Sequence, residues 1–360
     1  MNLYSTNTDW NSSGSQCYWT MDYSPAVWSS APPQEMICSI CSDKAEGYHF
    51  GAISCAACGA FFRRSVSDQK VYSCSNRQCN IAHDPTKRGG SCRFCRFLKC
   101  VTSGMMPQDV KAKRTSSSSQ NSQSLHKTMN PSSVQLIDEI LMFRHRLAAE
   151  RQHFEVMPSS ANRTTLMLSM HREFEMLRRV CLGCPFFVQI TEHLHIPFVE
   201  TGSKMMNDPL GDILLLLYVF ETCLQTGARG GLQLDRLVLP NMLHVDLSDI
   251  AFNEFLECDI QTNIDPFRHI QDAFGNLVRN ISRLIQPANF DEPILCILLY
   301  KCMTETIPIN YRHRFAEVNR DSLLTDLNRV DSMAYRSVQD AAPLIHHGTH
   351  RFKEAIANLS

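Results

Sequence analysis

The chain has 360 residues, with 35 Lys or Arg and 36 Asp or Glu, so its formal net charge is −1. This length predicts about two domains with linkers. No N-terminal segment combines a basic start, an apolar stretch and a small-residue cleavage site, and the longest apolar runs fall short of the ~20 residues that span a bilayer, so the sequence predicts neither export nor a membrane partner.

Residues 1–35 are poor in charge and rich in Ser, Asn and Pro. Segments of this composition cannot bury enough apolar surface to offset the entropy of ordering the chain. We therefore expect a disordered N-terminal tail.

Eight cysteines between residues 38 and 95 form two tetrads, each ending on a C-x2-C pair: Cys38, Cys41, Cys55 and Cys58, then Cys74, Cys79, Cys92 and Cys95. A C-x2-C pair holds two thiolates on one turn, and a second pair completes a closed tetrahedral zinc site. Four disulfides are the alternative, but nothing indicates an oxidising compartment. The sequence predicts two structural Zn²⁺ ions, which stabilise a domain too small to have a large core.

A basic helix is predicted over residues 55–66, directly on the first metal site. At 100° per residue, one face carries Ala56, Gly59, Ala60 and Arg63, and the opposite face carries Cys58, Phe61, Phe62 and Ser65. Small residues allow a helix to enter the major groove of DNA, where Arg63 can bond guanine O6 and N7. Arg64 lies at the flank, where a phosphate contact is expected. The alternative is that Arg63, like Arg64, contacts a phosphate and does not read a base.

A second helix is predicted after Cys92, with Phe94, Leu98 and Val101 on an apolar stripe that supports the first helix. Arg93 and Arg96 are expected to face outward, among the residues that contact DNA. Between residues 38 and 114 there are thirteen Lys or Arg and five Asp or Glu, which leaves 22 basic and 31 acidic residues elsewhere. The basic excess predicts a polyanionic partner, double-stranded DNA.

Three further stretches accompany the two tetrads: GYHFG at residues 47–51, FFRRS at 61–65 and RFLKCVTSGM at 96–105. Together they resemble the DNA-binding domain of nuclear hormone receptors, and within that family they are most similar to the expanded nematode set. The resemblance implies that Tyr48 and His49 contact phosphate. It also implies that Lys111, Lys113 and Arg114 belong to a C-terminal extension that reaches the minor groove, although a solvated basic run or nuclear-import signal is an alternative.

Two features depart from the family pattern. The second tetrad has four and then twelve residues between its cysteines, where five and nine are usual, so a loop that often serves as a dimer contact is altered. The family usually carries an acidic and a basic side chain on the recognition helix, where this chain has Ala56 and Gly59. The base preference of the family therefore does not transfer.

A Ser-rich flexible hinge is predicted over residues 115–131, followed by a helical domain over residues 132–360. A capping box at Ser132 and Gln135 opens it, residues 213–226 and 294–302 read as buried helices, and residues 237–247 read as a small hairpin. This order resembles the family's ligand-binding domain, which implies a pocket for a lipophilic ligand. Met205 and Met206 are among the residues expected to line that pocket. An ordinary core without a pocket remains the alternative.

Residues 350–360 resemble the start of a long penultimate helix more than the short activation helix that usually follows it in this family. On this reading the domain stops before the activation helix, and ligand-dependent activation is expected to be absent or weak.

The predicted fold is thus a small zinc-stabilised α domain at 36–114, with two four-cysteine zinc modules of the nuclear-receptor type, plus an all-α ligand-binding-like domain with a β-hairpin. No enzyme motif is present in the sequence. The predicted function is that of a nuclear, zinc-dependent, sequence-specific transcription factor acting on RNA polymerase II transcription, with a receptor dimer partner and coregulators implied by the resemblance. The alternative is an interaction protein that pairs with other receptors and titrates them.

Overall fold

The structure is a computed structural model that describes residues 35–83, 90–110, 128–153, 159–190, 209–256, 264–286, 290–308 and 314–359. The chain divides into two compact units, Met1–Glu35 and Met36–Ser360. Only Glu35 of the first unit is described, so the predicted tail lies outside the described residues, as do residues 115–127 of the predicted hinge.

The N-terminal part of the second unit, hereafter the finger, contains a hairpin and two helices: β1 (Gly47–His49), β2 (Ala52–Ser54), α1 (Ala56–Ser67) and α2 (Arg93–Thr102), followed by a 3-10 turn at Pro107–Asp109. The strands pair antiparallel, with His49 opposite Ala52. The two residues between them, Phe50 and Gly51, both have positive φ, of 53° and 99°. This combination is typical of a type I′ turn. The sequence does not predict this hairpin, which places Tyr48 and His49 beside the start of α1.

The core of the finger is aromatic. Phe62 of α1 and Phe97 of α2 are fully buried and stack with their ring centroids 5.2 Å apart. The predicted apolar stripe places Leu98 and Val101 at the centre of this packing, but both are only partly buried. Phe97 occupies the centre instead. The prediction that α2 supports α1 is confirmed by this packing.

The rest of the described chain, hereafter the helical domain, consists of helices and one hairpin: α3 (Pro131–Gln152), α4 (Arg163–Leu182), α5 (Pro185–Ile190), α6 (Pro209–Ala228), α7 (Gly231–Leu234), β3 (Arg236–Val238), β4 (His244–Asp246), α8 (Asp249–Leu256), α9 (Ile264–Asn276, continued by a π turn at Leu277–Ile281 and by Ser282–Leu284), α10 (Glu292–Thr306), α11 (Arg314–Val330) and α12 (Ser332–Leu359). Strand β3 pairs antiparallel with β4, Leu237 opposite Val245. The predicted fold class, with its zinc module, mostly helical structure and small hairpin, is confirmed.

Helices α6 and α10 lie at the centre of the helical domain, as their continuous apolar composition predicts. Among the described helices, α6 alone is long and apolar enough to cross a membrane, yet 78% of the window that meets this test is buried in the fold. A core helix passes the same test of length and composition, and the burial of Ile213 through Phe220 is that of a core helix.

The predicted capping box at Ser132 and Gln135 is wrong, because α3 begins at Pro131 with Asn130 at the N-cap. The polar groups there bind a neighbouring helix instead. Ser133 Oγ donates to Asp326 Oδ2 over 2.6 Å, and the Asn130 side-chain amide donates to Asp326 Oδ1 over 2.9 Å. The core of the helical domain also begins earlier than residue 132, since Met129 is buried in it.

An ion cluster is buried between α3, α4 and α6. Arg151 lies 2.5 Å from Glu173 and 3.6 Å from Glu221. Burial raises the pKa of the Glu173 carboxyl although Arg151 opposes it. At Glu221 burial also acts to raise the pKa, but Arg151, the Gln225 amide and Arg144 together outweigh it, so the pKa is lowered. One guanidinium thus serves a buried carboxylate, Glu173, and a half-buried one, Glu221, and joins three helices.

Residues 350–359 are the last turns of α12, a helix of 28 residues. Phe352 is fully buried, stacks on Tyr218 of α6 and packs against the tilted ring of Phe274 of α9, while Glu354 is exposed. The prediction that this segment starts a long helix is therefore wrong, because it ends one and packs against the core.

Candidate nucleic-acid interface

The eight predicted zinc ligands lie together as two groups of four. In each group the Sγ atoms all lie within 4.8 Å of one another. The Cys41–Cys55 and Cys74–Cys79 sulfur pairs are 3.6 Å apart, and Cys74–Cys95 is 3.9 Å. Tetrahedral Zn²⁺ with Zn–S bonds of about 2.3 Å requires sulfurs about 3.8 Å apart, whereas a disulfide requires about 2.05 Å. Both groups therefore fit zinc, and all eight thiols are free.

The thiols of each group differ in their readiness to become thiolates. Burial raises the pKa of Cys58 to about 12 although Arg96 lowers it, whereas at Cys38 backbone hydrogen bonds outweigh burial and lower the pKa to about 7. In the second group the Arg77 amide, which donates to Cys74 Sγ over 3.3 Å, contributes most to lowering the Cys74 pKa to about 7. When bound, zinc supplies the positive charge that holds all four thiolates together, so binding releases protons.

Helix α1 is attached directly to the first site, because Cys55 is its N-cap and Cys58 lies in its first turn. Cys58, Phe62 and Ser65 are buried, as predicted, and Phe61 is partly buried. The opposite side presents Ala56, Arg63 and Arg64 to solvent, with Ala60 half-buried. The helix therefore offers two guanidinium groups and a surface of small side chains.

Gly59 departs from the prediction that it lies on the exposed face. It is buried, and a Cβ at this position would lie 3.0 Å from Cγ of His49. The β1–β2 hairpin places the His49 ring over this glycine, so Gly59 allows close packing between the hairpin and α1. His49 is itself half-buried, and its Nε2 has no hydrogen-bond partner among the described residues.

The two arginines of α2 differ. Arg93 is exposed, as predicted, but Arg96 does not face outward. Its Nη2 donates to Cys58 Sγ over 3.2 Å, and its guanidinium lies 4.8 Å from the centroid of the Phe61 ring. Burial opposes the charge of Arg96, but the sulfur raises its pKa overall. Arg96 therefore belongs to the surroundings of the first zinc site.

The remaining predicted contacts are at the two ends of the finger. Tyr48, on β1 beside α1, has 73% of its surface exposed. Lys111, Lys113 and Arg114 lie outside the described residues, which end here at Val110 after the 3-10 turn.

Comparison with known proteins agrees with this geometry. A family model described as a double treble clef zinc finger, C4 type, matches residues 36–107. Nuclear hormone receptor family member nhr-14 of Caenorhabditis elegans is 31% identical over 321 residues, which cover 81% of this chain and 63% of that protein. The chain is therefore similar to nuclear hormone receptors, and its finger is of the four-cysteine type. Another relative matches a shorter part: odr-7 of C. elegans is 50% identical over 80 residues, 21% of this chain and 18% of odr-7.

A mammalian nuclear receptor matches a longer part. Nuclear receptor subfamily 5 group A member 2 of Rattus norvegicus is 31% identical over 180 residues, 50% of this chain and 30% of the rat protein. The chain thus spans less than two thirds of the length of these nuclear receptors. The two four-cysteine groups of the nuclear receptor finger are suited to two zinc ions, as predicted.

Proposed function

We propose that this chain is a nuclear receptor that binds double-stranded DNA through the exposed face of α1 and acts in the nucleus as a zinc-dependent regulator of RNA polymerase II transcription. The observation that carries the proposal is the position of Arg63 and Arg64, both exposed on a helix that is held at its first turn by the zinc ligands Cys55 and Cys58. A rigid helix with two exposed guanidinium groups and small neighbours suits the major groove.

Each contact has a separate role in this proposal. Arg63 reads guanine, while Ala56 and Ala60 contact thymine methyl groups. Arg64, Tyr48 and Arg93 bind phosphate, which positions the helix without reading sequence. His49 supports the helix through Gly59, and the basic residues after Val110 contact the minor groove. Arg96 is left out of the proposed contacts, because its guanidinium is engaged by Cys58.

The helical domain is proposed to respond to a small molecule. A cavity of about 250 Å³ lies between α4 and the loop of the β3–β4 hairpin, and its lining includes Ser169, Glu173 and Met176 on one side and Asn241 and Leu243 on the other. Mixed apolar and polar lining favours an amphiphilic ligand over a purely lipophilic one. The predicted lining residues Met205 and Met206 lie outside the described residues. Native mass spectrometry of the chain and of Leu243→Trp, which fills the cavity, tests whether a co-purified ligand depends on it.

The DNA proposal is tested by selecting bound duplexes from a random pool at stated salt concentrations. Enrichment of one short sequence that disappears with Arg63→Ala supports it. Salt-dependent binding without any enriched sequence favours the alternative of an interaction protein with little DNA specificity, since non-specific binding depends on phosphate contacts alone. That alternative also predicts capture of another receptor by the helical domain.

A further inference from the structure

The finger and the helical domain touch through a contact that the sequence does not predict. The finger contributes Tyr72, the loop between the first two ligands of the second zinc site, and the side of α2 that carries Phe97 and Val101. The helical domain contributes α7, the residues flanking it, and the end of β4. We call this interface the docking contact. Its residues are Tyr72, Arg77, Phe97 and Val101 of the finger and residues 229–235, Asp246 and Ser248 of the helical domain.

The apolar part of the docking contact is closely packed. Leu234 of α7 is 3% exposed and lies within the finger's own core cluster, although it follows the finger by more than a hundred residues in sequence. Gly230, with φ of +76°, approaches α2 so closely that a Cβ would lie 3.0 Å from both Phe97 and Val101. Such an approach requires glycine at this position.

The polar part includes a main-chain hydrogen bond. The Tyr72 amide donates to the Gln233 carbonyl over 2.8 Å. Beside it, Arg77 Nη1 donates to Asp246 Oδ2 over 2.5 Å, and Arg77 Nη2 donates to Ser248 Oγ. The Asp246 side chain is only 7% exposed, so this ion pair is shielded from solvent on one side.

Arg77 connects the docking contact with the second zinc site. Its backbone N–H donates to the ligand Cys74, while its guanidinium lies 5.6 Å from the Phe94 ring centroid and reaches Asp246. Asp246 also pairs with Arg236 across the hairpin, at 3.2 Å. A single residue thus contacts a metal ligand with its main chain and the hairpin of the other domain with its side chain.

We propose that Arg77 couples the second zinc site to the β3–β4 hairpin, so that α7 and the hairpin are held against the finger only when that site has its metal. Zinc at Cys74 fixes the backbone of Arg77, and the guanidinium then holds Asp246. Without the metal, the loop no longer presents the guanidinium, and the docking contact opens. The exposed face of α1 takes no part in the docking contact, so docking leaves it free.

Hydrogen exchange of the full chain tests this proposal, because the Tyr72 amide donates its hydrogen bond across the docking contact. Arg77→Glu places a carboxylate beside Asp246 and should speed exchange at Tyr72 by roughly tenfold, as expected for loss of a charged hydrogen bond. Leu234→Ala should have a similar effect without changing any residue of the finger. Lys99→Glu, an exposed charge reversal on α2, is the control and should leave Tyr72 protected.

Native mass spectrometry counts the zinc ions in each variant. In a second experiment, hydrogen exchange of the wild type is measured after a chelator has removed the zinc. The proposal expects two zinc ions in both variants, and faster exchange over residues 231–248 of the wild type after chelation, with residues 292–306 unchanged. It is overturned if Tyr72 exchanges equally in the wild type and in both variants, or if chelation leaves residues 231–248 unaffected. It is also overturned if only Arg77→Glu has an effect and that variant has lost a zinc ion. No DNA is present, so the result is independent of DNA binding.

Discussion

Arg96 donates a hydrogen bond to the sulfur of Cys58, 38 residues earlier in the chain and on the opposite helix of the finger. A zinc ion with four thiolates carries two net negative charges, and a buried guanidinium that donates to one sulfur offsets part of that charge. The same guanidinium lies on the face of the Phe61 ring, which keeps it in position. Arg96 therefore joins the packing of α1 and α2 to the first metal site.

Arg96→Ala should accordingly weaken zinc binding at the first site and leave the second site unchanged. Loss of a partner of a metal ligand typically costs 10- to 100-fold in affinity. Zinc release to a chromophoric chelator measures this, with Arg93→Ala as the matched control, since Arg93 is exposed on the same helix. Unchanged zinc release together with weaker DNA binding would instead make Arg96 a phosphate contact.

Cys58→Ser should remove one zinc ion and unfold α1. Cys58 is fully buried and is both a ligand and part of the first turn of the helix. A structural zinc site contributes roughly 10 to 16 kcal/mol of apparent binding free energy, so α1 and the hairpin before it cannot keep their fold without it. Native mass spectrometry should count one zinc ion in this variant and two in Cys184→Ser, a control in the helical domain. Two ions in the Cys58 variant would disprove the ligand assignment.

Arg63 and Arg64 should differ in what their loss does to DNA binding. Arg63→Ala should cost about 1 to 3 kcal/mol and relax the preference at one base position. Arg64→Ala should weaken binding to all DNA sequences by the same factor. It should also reduce the magnitude of the slope of log affinity against log salt concentration by about one. Binding titrations on the selected duplex and on a scrambled one, at several salt concentrations, compare the two. Identical behaviour would mean that Arg63 is also a phosphate contact.

Arg151→Met should destabilise the helical domain by about 3 to 5 kcal/mol, because it leaves the buried Glu173 and the half-buried Glu221 without their shared cation. Arg172→Met, an exposed change on α4, should cost less than about 0.5 kcal/mol. Urea unfolding near pH 7 measures both. The Glu221 pKa is lowered in the folded state, so its contribution is present above its unfolded pKa and is lost as pH falls through the folded one. The penalty of Arg151→Met should therefore shrink in acid.

The zinc ligands were predictable because their chemistry is contained in local spacing. The buried helices and the β3–β4 hairpin were predictable because their apolar patterns extend over many residues. The burial of Gly59 and the inward position of Arg96 were not predictable. Helical periodicity places side chains around the helix axis, but it does not show which neighbouring segment covers them. His49 covers Gly59 and Cys58 attracts Arg96 only through pairings of distant segments. The contact between Arg77 and Asp246 left no local signal, because neither residue belongs to a recognisable motif.

The spacing of the ligands also sets an order of events during synthesis. All ligands of the first zinc site come from residues 38–58, so closing that site requires only short loops and has a small entropic cost. The bond between Tyr72 and Gln233, in contrast, joins residues about 160 positions apart. Domains nearer the N-terminus generally fold first as the chain leaves the ribosome. We therefore expect the finger to acquire metal and fold while α7 is still being translated, and the nascent helical domain to dock onto a finished surface.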